Sequence, residues 1–542
     1  MKTATPFKRL VLTALTLLVA ASLLLAACAP AGGDTTTPED TTGGEAPATD
    51  PTEDTAAVPA GPAGKLRVAF QPIVATDPGL ISSDSEVFVA NHVYDYLVDI
   101  DAQSNPTPRL ATGWTVSDDG LTYVFTLAEG VTFHDGSAFS AADVVYTFNR
   151  LRDVNGGLPT ASLYANIAAI EATGDLEVTF TLSAPNPFFL YDLSDNHALV
   201  IKDGTADPTD FNGTGPFKVV SYTPEDRIVL EANPAYFQAG KPGLAGLEVI
   251  FFADDQAMVD ALRGGQVDLV MRMSTSLFES LIGEAGITTL DIPTNGFDLV
   301  RLRADRAPGN DPRVVEALKL ATDREAIWQL VQQGYGAVGN DSPVGPLYGP
   351  YHDPSVQPPA RDVERARALL AEYAAETGGD PTLNLVLHVP DSGGRPDLAA
   401  VLQQQWAEAG IVVELSVEPE SVYYADGENG WLGVDLGITG WGSRPYPQFY
   451  FTQMLASNGE WNEAHWSDAE VDALIATAGS TLDEAERAAA YQQLQAILAE
   501  RGPVIIPYYF AQFGAISDAF TGFEMKAFAG RTDVSGVTLA TP

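Results

Sequence analysis

Leu110-Ala-Thr-Gly-Trp-Thr-Val-Ser-Asp-Asp-Gly-Leu-Thr-Tyr-Val-Phe-Thr-Leu127 runs into Gly130-Val-Thr-Phe-His-Asp-Gly136 and then Ser140-Ala-Ala-Asp-Val-Val-Tyr-Thr-Phe-Asn-Arg150. From Leu121 to Leu127 large apolar residues fall on every second position, which puts them on one face of a strand. Asp119-Gly120 just before it reads as a type I′ hairpin turn, because both central positions of that turn need φ > 0. His134-Asp135-Gly136 reads as a tight turn. Ser140 with Asp143 three residues on reads as a capping box, with Asp in place of the usual Glu. Strand, turn and capped helix in quick succession point to a mixed α/β chain.

The same mixture continues outward. Strands are expected at 66–70, 176–182, 249–252, 383–389, 412–417 and 504–510, and a hairpin at 217–222 and 227–231 around Thr223-Pro-Glu-Asp226. Asp311-Pro312 supplies an N-cap and an N1 proline for a helical stripe that continues through Ile327 and Val331 to Gly334. Further helices are expected at 362–376, 396–410 and 482–500, and Ser467-Asp-Ala-Glu470 has the form of another capping box. No tandem repeat is visible.

The chain begins with Lys2, Lys8 and Arg9, followed by an apolar run from Leu10 to Leu25 that ends in Leu25-Ala-Ala-Cys28. A charged start, an apolar run too short to span a bilayer and a small-residue ending describe a cleaved export signal over 1–27. Cys28 is the only cysteine, so no intramolecular disulfide can form. The four-residue ending resembles a lipobox, in which Cys28 would be lipidated and would start the mature protein. Residues 28–64 are rich in Pro, Gly, Thr, Ala and acids, a composition for a disordered acidic tether. Lys and Arg number 29 against 72 Asp and Glu, for a net charge of −43. Such a chain repels nucleic acid, so nucleic-acid binding is excluded as a function class.

The motifs quoted above are followed by Gly213-Thr-Gly-Pro-Phe217, Leu230-Glu-Ala-Asn-Pro-Ala-Tyr-Phe237, Ala261-Leu-Arg-Gly-Gly-Gln-Val-Asp268, Pro312-Arg-Val-Val-Glu-Ala-Leu318 and Ala321-Thr-Asp-Arg-Glu-Ala-Ile327. In this order they resemble the family 5 extracellular solute-binding proteins, the dipeptide, oligopeptide and nickel-binding components of ABC importers. The resemblance runs from Leu66 to about Phe513. It implies a two-lobed, periplasmic-binding-protein-like clamshell of type II, with lobe one at 65–297, lobe two at 298–513 and a return to lobe one over 514–542. An extra subdomain at about 100–200 would be inserted in lobe one. The chain would cross between lobes near 296–299 and return near 512–515. The implied function is capture of a small solute, foremost a peptide, in the cleft and delivery to an ABC permease and ATPase. The protein would act as a monomer without a cofactor, on the extracytoplasmic side and anchored through Cys28. In the family most of these motif residues hold the scaffold.

The segment Asp435-Leu-Gly-Ile-Thr-Gly-Trp-Gly-Ser-Arg-Pro-Tyr-Pro-Gln-Phe-Tyr450 has the composition of a binding loop: glycines, prolines, aromatics and the single basic residue Arg444. Arg444 can grip a carboxylate with two parallel hydrogen bonds. Trp441, Tyr446 and Phe449 offer flat apolar contact. The matching family segment commonly carries aspartates, one of which takes a peptide's amino group; here Tyr446 and Gln448 stand there. Weaker candidates are Tyr424, then Thr76 and Asp77 after the first strand, and Asn295 and Phe297 at the crossing. Other solutes remain open: a metal chelate, another small organic molecule, or a ligand sensed without transport. No nucleophile elbow, phosphate loop or paired metal-binding histidines occur, which leaves a cell-surface hydrolase as a remote reading. The six histidines show no ligand spacing, so no protein-bound metal is expected.

Overall fold

The computed structural model describes residues 62–540 apart from 103, 426 and 428. Cys28, the signal segment and nearly all of the tether lie outside the described residues. The ordered body starts slightly earlier than expected: the Ala63 amide donates to Gly243 O, and Gly64 O accepts from Ala245.

One sheet runs through both lobes. In lobe one the parallel strands Lys65–Phe70, Gly246–Phe251 and Leu269–Met271 form its centre, and the hairpin Phe217–Thr223 and Arg227–Ala232 extends one edge. In lobe two the strands Leu383–Pro390, Ile411–Glu418 and Leu436–Trp441 carry it on. The long strand Ile287–Leu302 and the returning strand Tyr508–Ser517 belong to both halves. The central strand Leu269–Met271 is buried throughout, as a sheet covered on both faces requires, whereas the edge strand Ile411–Glu418 begins by alternating buried and exposed residues. Helices Pro312–Ala321, Val363–Thr377 and Arg395–Glu408 close one apolar core of lobe two. Helices Ala469–Ser480 and Glu484–Arg501 close another on the opposite side.

The opening stretch forms the expected insertion. Ala111–Val116, Thr122–Leu127, Glu177–Leu182 and Ile167–Gly174 make a separate four-stranded antiparallel sheet. Helix Ala141–Leu151 packs on it, and Asp143 accepts from the Ser140 amide at 2.7 Å as the capping box requires. The turn itself differs from expectation. Only Gly120 has positive φ, at 68°, while the Asp119 carboxylate accepts from Ser117 Oγ and the Leu121 amide. A side-chain-braced turn thus replaces the type I′ form.

Three other expectations shift for local reasons. The strand expected at 504–510 breaks into Val504–Ile505 and Tyr508–Ser517, because Pro507 has no N–H to give the ladder. The helical stripe from 311 ends at Ala321 and restarts at Arg324, with the Asp323 carboxylate capping the second helix. The cap at 467–470 moves one residue on, to Asp468.

The crossing also moves. Phe297 already pairs with Trp441 inside lobe two, whereas Gly514 still pairs with Met271 in lobe one. The sheet changes partners at a bulge between Pro293 and Phe297, opposite Tyr509 and Ala511. Gly296 lies within this bulge. A Cβ there would lie 3.1 Å from Trp441 O and 3.2 Å from Ser443 N; the glycine permits close approach of two backbones.

Candidate functional site

Two adjoining cavities open between the lobes. The larger, of about 610 Å³, is lined from lobe one by Ser104, Tyr191, Ile292 and Met525, and from lobe two by Tyr348 and Tyr351. The smaller, of about 40 Å³, is an annex reached past the shared residues Ser104 and Pro445. Their walls come from strand Ile287–Leu302, the connection Pro346–Tyr351 and the loops at 102 and 104–105, 443–445 and 523–527. The size suits a small solute, and the mixture of aromatic surface with few polar groups is what such sites use.

The annex is cationic. Arg444, Lys526 and Arg531 line it. Lys526 donates to Ile100 O at 2.6 Å; burial pulls its ammonium below the ordinary value, against the pull of Asp99 3.8 Å away. Arg531 donates to Asp99 at 2.5 Å and Ser194 O at 2.6 Å. Arg444 differs. It is half-buried, its backbone carbonyl accepts from Tyr348 Oη at 2.8 Å, and its guanidinium lies 4.6 Å from the Phe449 ring centre without a hydrogen bond or ion pair to a described residue. A guanidinium can present two parallel N–H groups to an anion.

Asn295 also reaches the larger cavity. Its amide donates to Ser443 Oγ at 3.2 Å, and its buried Oδ1 accepts from no described residue. A buried acceptor left without a partner is costly unless a ligand or water completes it.

The other sequence candidates have structural employment. Trp441 is buried, with its indole N–H 3.2 Å from Glu463 and its ring among Tyr450 and Trp461. Glu463 is buried too, and it also accepts from Arg301 Nε at 3.1 Å and Thr439 Oγ1 at 2.7 Å. Phe297 is fully buried against Tyr450. Phe449 packs on Trp461 and under Arg444. Tyr446 donates to Asp192 across the lobes at 2.8 Å. Tyr424 packs against Tyr423 and Trp431. Asp77 pairs with Arg150 and caps the Gly79 amide, and Thr76 sits half-buried beside it. None of these seven lines either cavity. Trp441 is drawn into the core by the buried Arg301–Glu463 pair, whereas Ser443, Arg444 and Pro445 of the same loop reach the annex.

Sequence reasoning missed Tyr191, Tyr348, Tyr351 and Lys526. Lys526 had a readable signal, being a lone lysine in an apolar stretch, like Arg444 in its loop. Tyr348 and Tyr351 follow closely on Asn340-Asp-Ser-Pro343, but Asp341 itself serves the scaffold, buried between Lys319 at 3.0 Å and Arg324 at 2.6 Å.

The family described as "Bacterial extracellular solute-binding proteins, family 5 Middle" matches residues 105–463. "Heme-binding protein A" of Haemophilus influenzae is 26% identical over 497 residues, covering 86% of this chain and 89% of that protein. "Probable di/tripeptide-binding protein 5" of Pseudomonas aeruginosa is 29% identical over 486 residues, covering 83% and 90%. Among solved structures, NikA from Brucella suis in complex with Fe(III)-EDTA superposes with a TM-score of 0.78 at 23% identity, covering 88% of this chain and all of that one. The arrangement of lobes and cavity is thus that of a shared fold, and the chain belongs to the bacterial extracellular solute-binding proteins of family 5.

Proposed function

We propose that the protein captures a small peptide bearing a free carboxylate in the interlobe cavity and hands it to an ABC importer. The observation that carries this reading is the unpaired Arg444 guanidinium facing an annex of about 40 Å³ beside a chamber of about 610 Å³. The carboxylate enters the annex, with Lys526 and Arg531 adding positive potential behind it. The rest of the solute lies between Tyr191 on one lobe and Tyr348 and Tyr351 on the other. A relative named for di- and tripeptides supports peptide over other carboxylates. Residues 65–297 and 298–513 act as the two jaws, and the ribbon around 293–297 and 509–511 bends between them.

The polarity of this site departs from the family pattern noted in the sequence. An Arg stands in the loop after Gly-Trp, and Tyr446 is engaged elsewhere. The solute's carboxylate, rather than its amino group, is therefore the anchored end. Mass spectrometry of the solute released on denaturing the purified protein tests the reading; a co-purified molecule with no anionic group would refute it. Asn295→Ala should weaken binding of that solute by up to about tenfold, the worth of one hydrogen bond of about 0.5–1.5 kcal/mol. Calorimetric titration decides it, and unchanged affinity would return the Asn295 acceptor to water.

The lipidated cysteine belongs to the same proposal. Cys28→Ser should move the protein from the membrane pellet to the soluble fraction, because two or more acyl chains hold a protein on a bilayer. A variant that still sediments with membranes after a high-salt wash would dispose of the anchor.

A further inference from the structure

The lobes also touch behind the cavity wall, where Tyr191, which lines the larger cavity, packs on Tyr446 with ring centres 5.3 Å apart. Phe188, which precedes the short helix Phe189–Asp192 of lobe one, is buried in a core otherwise made by lobe two. Its ring stacks on Tyr446 with centres 4.6 Å apart and planes 12° from parallel, and the Arg487 guanidinium lies 5.4 Å from its ring centre. Tyr446 Oη donates to Asp192 Oδ1 at 2.8 Å, while Asn186 Nδ2 donates to Oδ2 at 2.7 Å. Asp192 is 5% exposed. No cation pairs with it among the described residues.

We propose that Phe188, Asp192 and Tyr446 form a latch that holds the lobes together without touching the solute, and that protonation of Asp192 strengthens it. The chemistry follows from burial. An unpaired carboxylate enclosed by aromatic rings is favoured as the neutral acid. When the lobes part, Tyr446 and the core around Phe188 leave, water reaches the carboxylate, and it ionises at an ordinary value.

The surroundings set the sign. Burial raises the Asp192 carboxyl to about 7; hydrogen bonds from Tyr446 and Asn186 oppose this, and the nearby negative charge of Asp195 reinforces it. The other groups facing the cluster are Tyr164, whose hydroxyl donates to Asp192 O at 2.9 Å, and Tyr123. Asp195 is itself held low by His197, whose Nδ1 is 2.6 Å away, and that pairing raises the histidine. Arg444 acts on Asp195, His197 and Tyr446 through its charge. Because the closed arrangement binds the Asp192 proton more tightly than the open one, acidification favours closing and alkali favours opening. Between pH 8 and pH 6 the closed-to-open ratio should rise about tenfold, for a carboxyl that titrates near 7 closed and near 4 open.

The inference rests on the bending of the lobes that the proposed function requires, but not on the identity of the solute. The test therefore uses the protein alone, in a Cys28→Ser background and freed of solute by unfolding and refolding. Small-angle scattering should give a smaller radius of gyration at pH 5.5 than at pH 8.5. Asp192→Asn, always uncharged, should be as compact at pH 8.5 as the parent is at pH 5.5. Phe188→Ala, which leaves the carboxylate in place, should enlarge the radius at pH 5.5. A parent radius that does not change with pH, or an Asp192→Asn profile that tracks the parent, would overturn the proton-sensitive latch. So would a Phe188→Ala protein as compact as the parent at pH 5.5, a result that stands even if Asp192→Asn fails to fold.

Discussion

Arg444→Ala is expected to weaken binding of the cognate solute by about 30-fold or more. Truncating one partner of a desolvated, charge-assisted pair costs about 2–5 kcal/mol, because the other charge stays buried without its partner; each 1.4 kcal/mol is about tenfold in affinity. The guanidinium makes no hydrogen bond or ion pair with any described residue, so its loss should leave the fold intact. Arg444→Lys should recover only part of the binding, since an ammonium cannot present two parallel N–H groups to a carboxylate. Isothermal titration at constant ionic strength, with a melting curve for each variant, separates binding from folding. If Arg444→Ala binds as tightly as the parent, Arg444 only covers the Phe449 ring, and the carboxylate of the solute must sit elsewhere.

Glu463→Ala should instead cost stability, by about 3–5 kcal/mol, the range seen when one partner of a buried ion pair is removed. Arg301 and Glu463 are both fully buried, and Arg301 is left with only the carbonyls of Val434 and Trp431 as acceptors. Thr439 and Trp441 lose an acceptor at the same time. Burial raises the Glu463 carboxyl against the pull of Arg301, so the site is already an expensive one for charge, and an unpartnered guanidinium makes it worse. Glu463→Gln keeps one of the two acceptor oxygens that Thr439 and Trp441 use separately, and should lose less. Denaturant titration followed by tryptophan fluorescence reads both. An unaltered midpoint for Glu463→Ala would mean that the two carbonyls suffice for Arg301.

The two variants also show which kinds of information a sequence carries. The strands at 66–70, 121–127, 383–389 and 412–417 are legible because a buried sheet demands unbroken or alternating apolar residues, and such runs survive any context. Arg444 stood out for a chemical reason, as the one basic side chain among aromatics in its loop, and it does line the annex. Trp441 has the same composition signal and a different fate, since its partner Glu463 lies 22 residues away and only the fold brings them together. Tyr446 is decided by Asp192, 254 residues distant. The tyrosines of the cavity wall are invisible for the same reason. Their rings are ordinary in sequence, and only the juxtaposition of two lobes turns them toward one space. The close approach of two backbones that requires Gly296 is likewise visible only in the fold.

The continuous sheet also dictates an order of assembly. Both ends of the described chain fasten to lobe one, Ala63 through Gly243 and Ala540 through Ala519, so lobe two is made entirely in between. Strand Leu269–Met271 pairs along one edge with Lys65–Phe70, but its other edge finds a partner only when Gly514, Ala515 and Ile516 have been synthesised. At about 5–20 residues per second, translation leaves that edge waiting on the order of 10–50 s, while all of lobe two from Phe297 onward can pair within itself. An unpaired strand edge is an invitation to aggregate. The nascent first half therefore needs shielding by a holding factor for longer than the second half does, and a polypeptide released early, before Gly514, should be recovered as inclusion bodies.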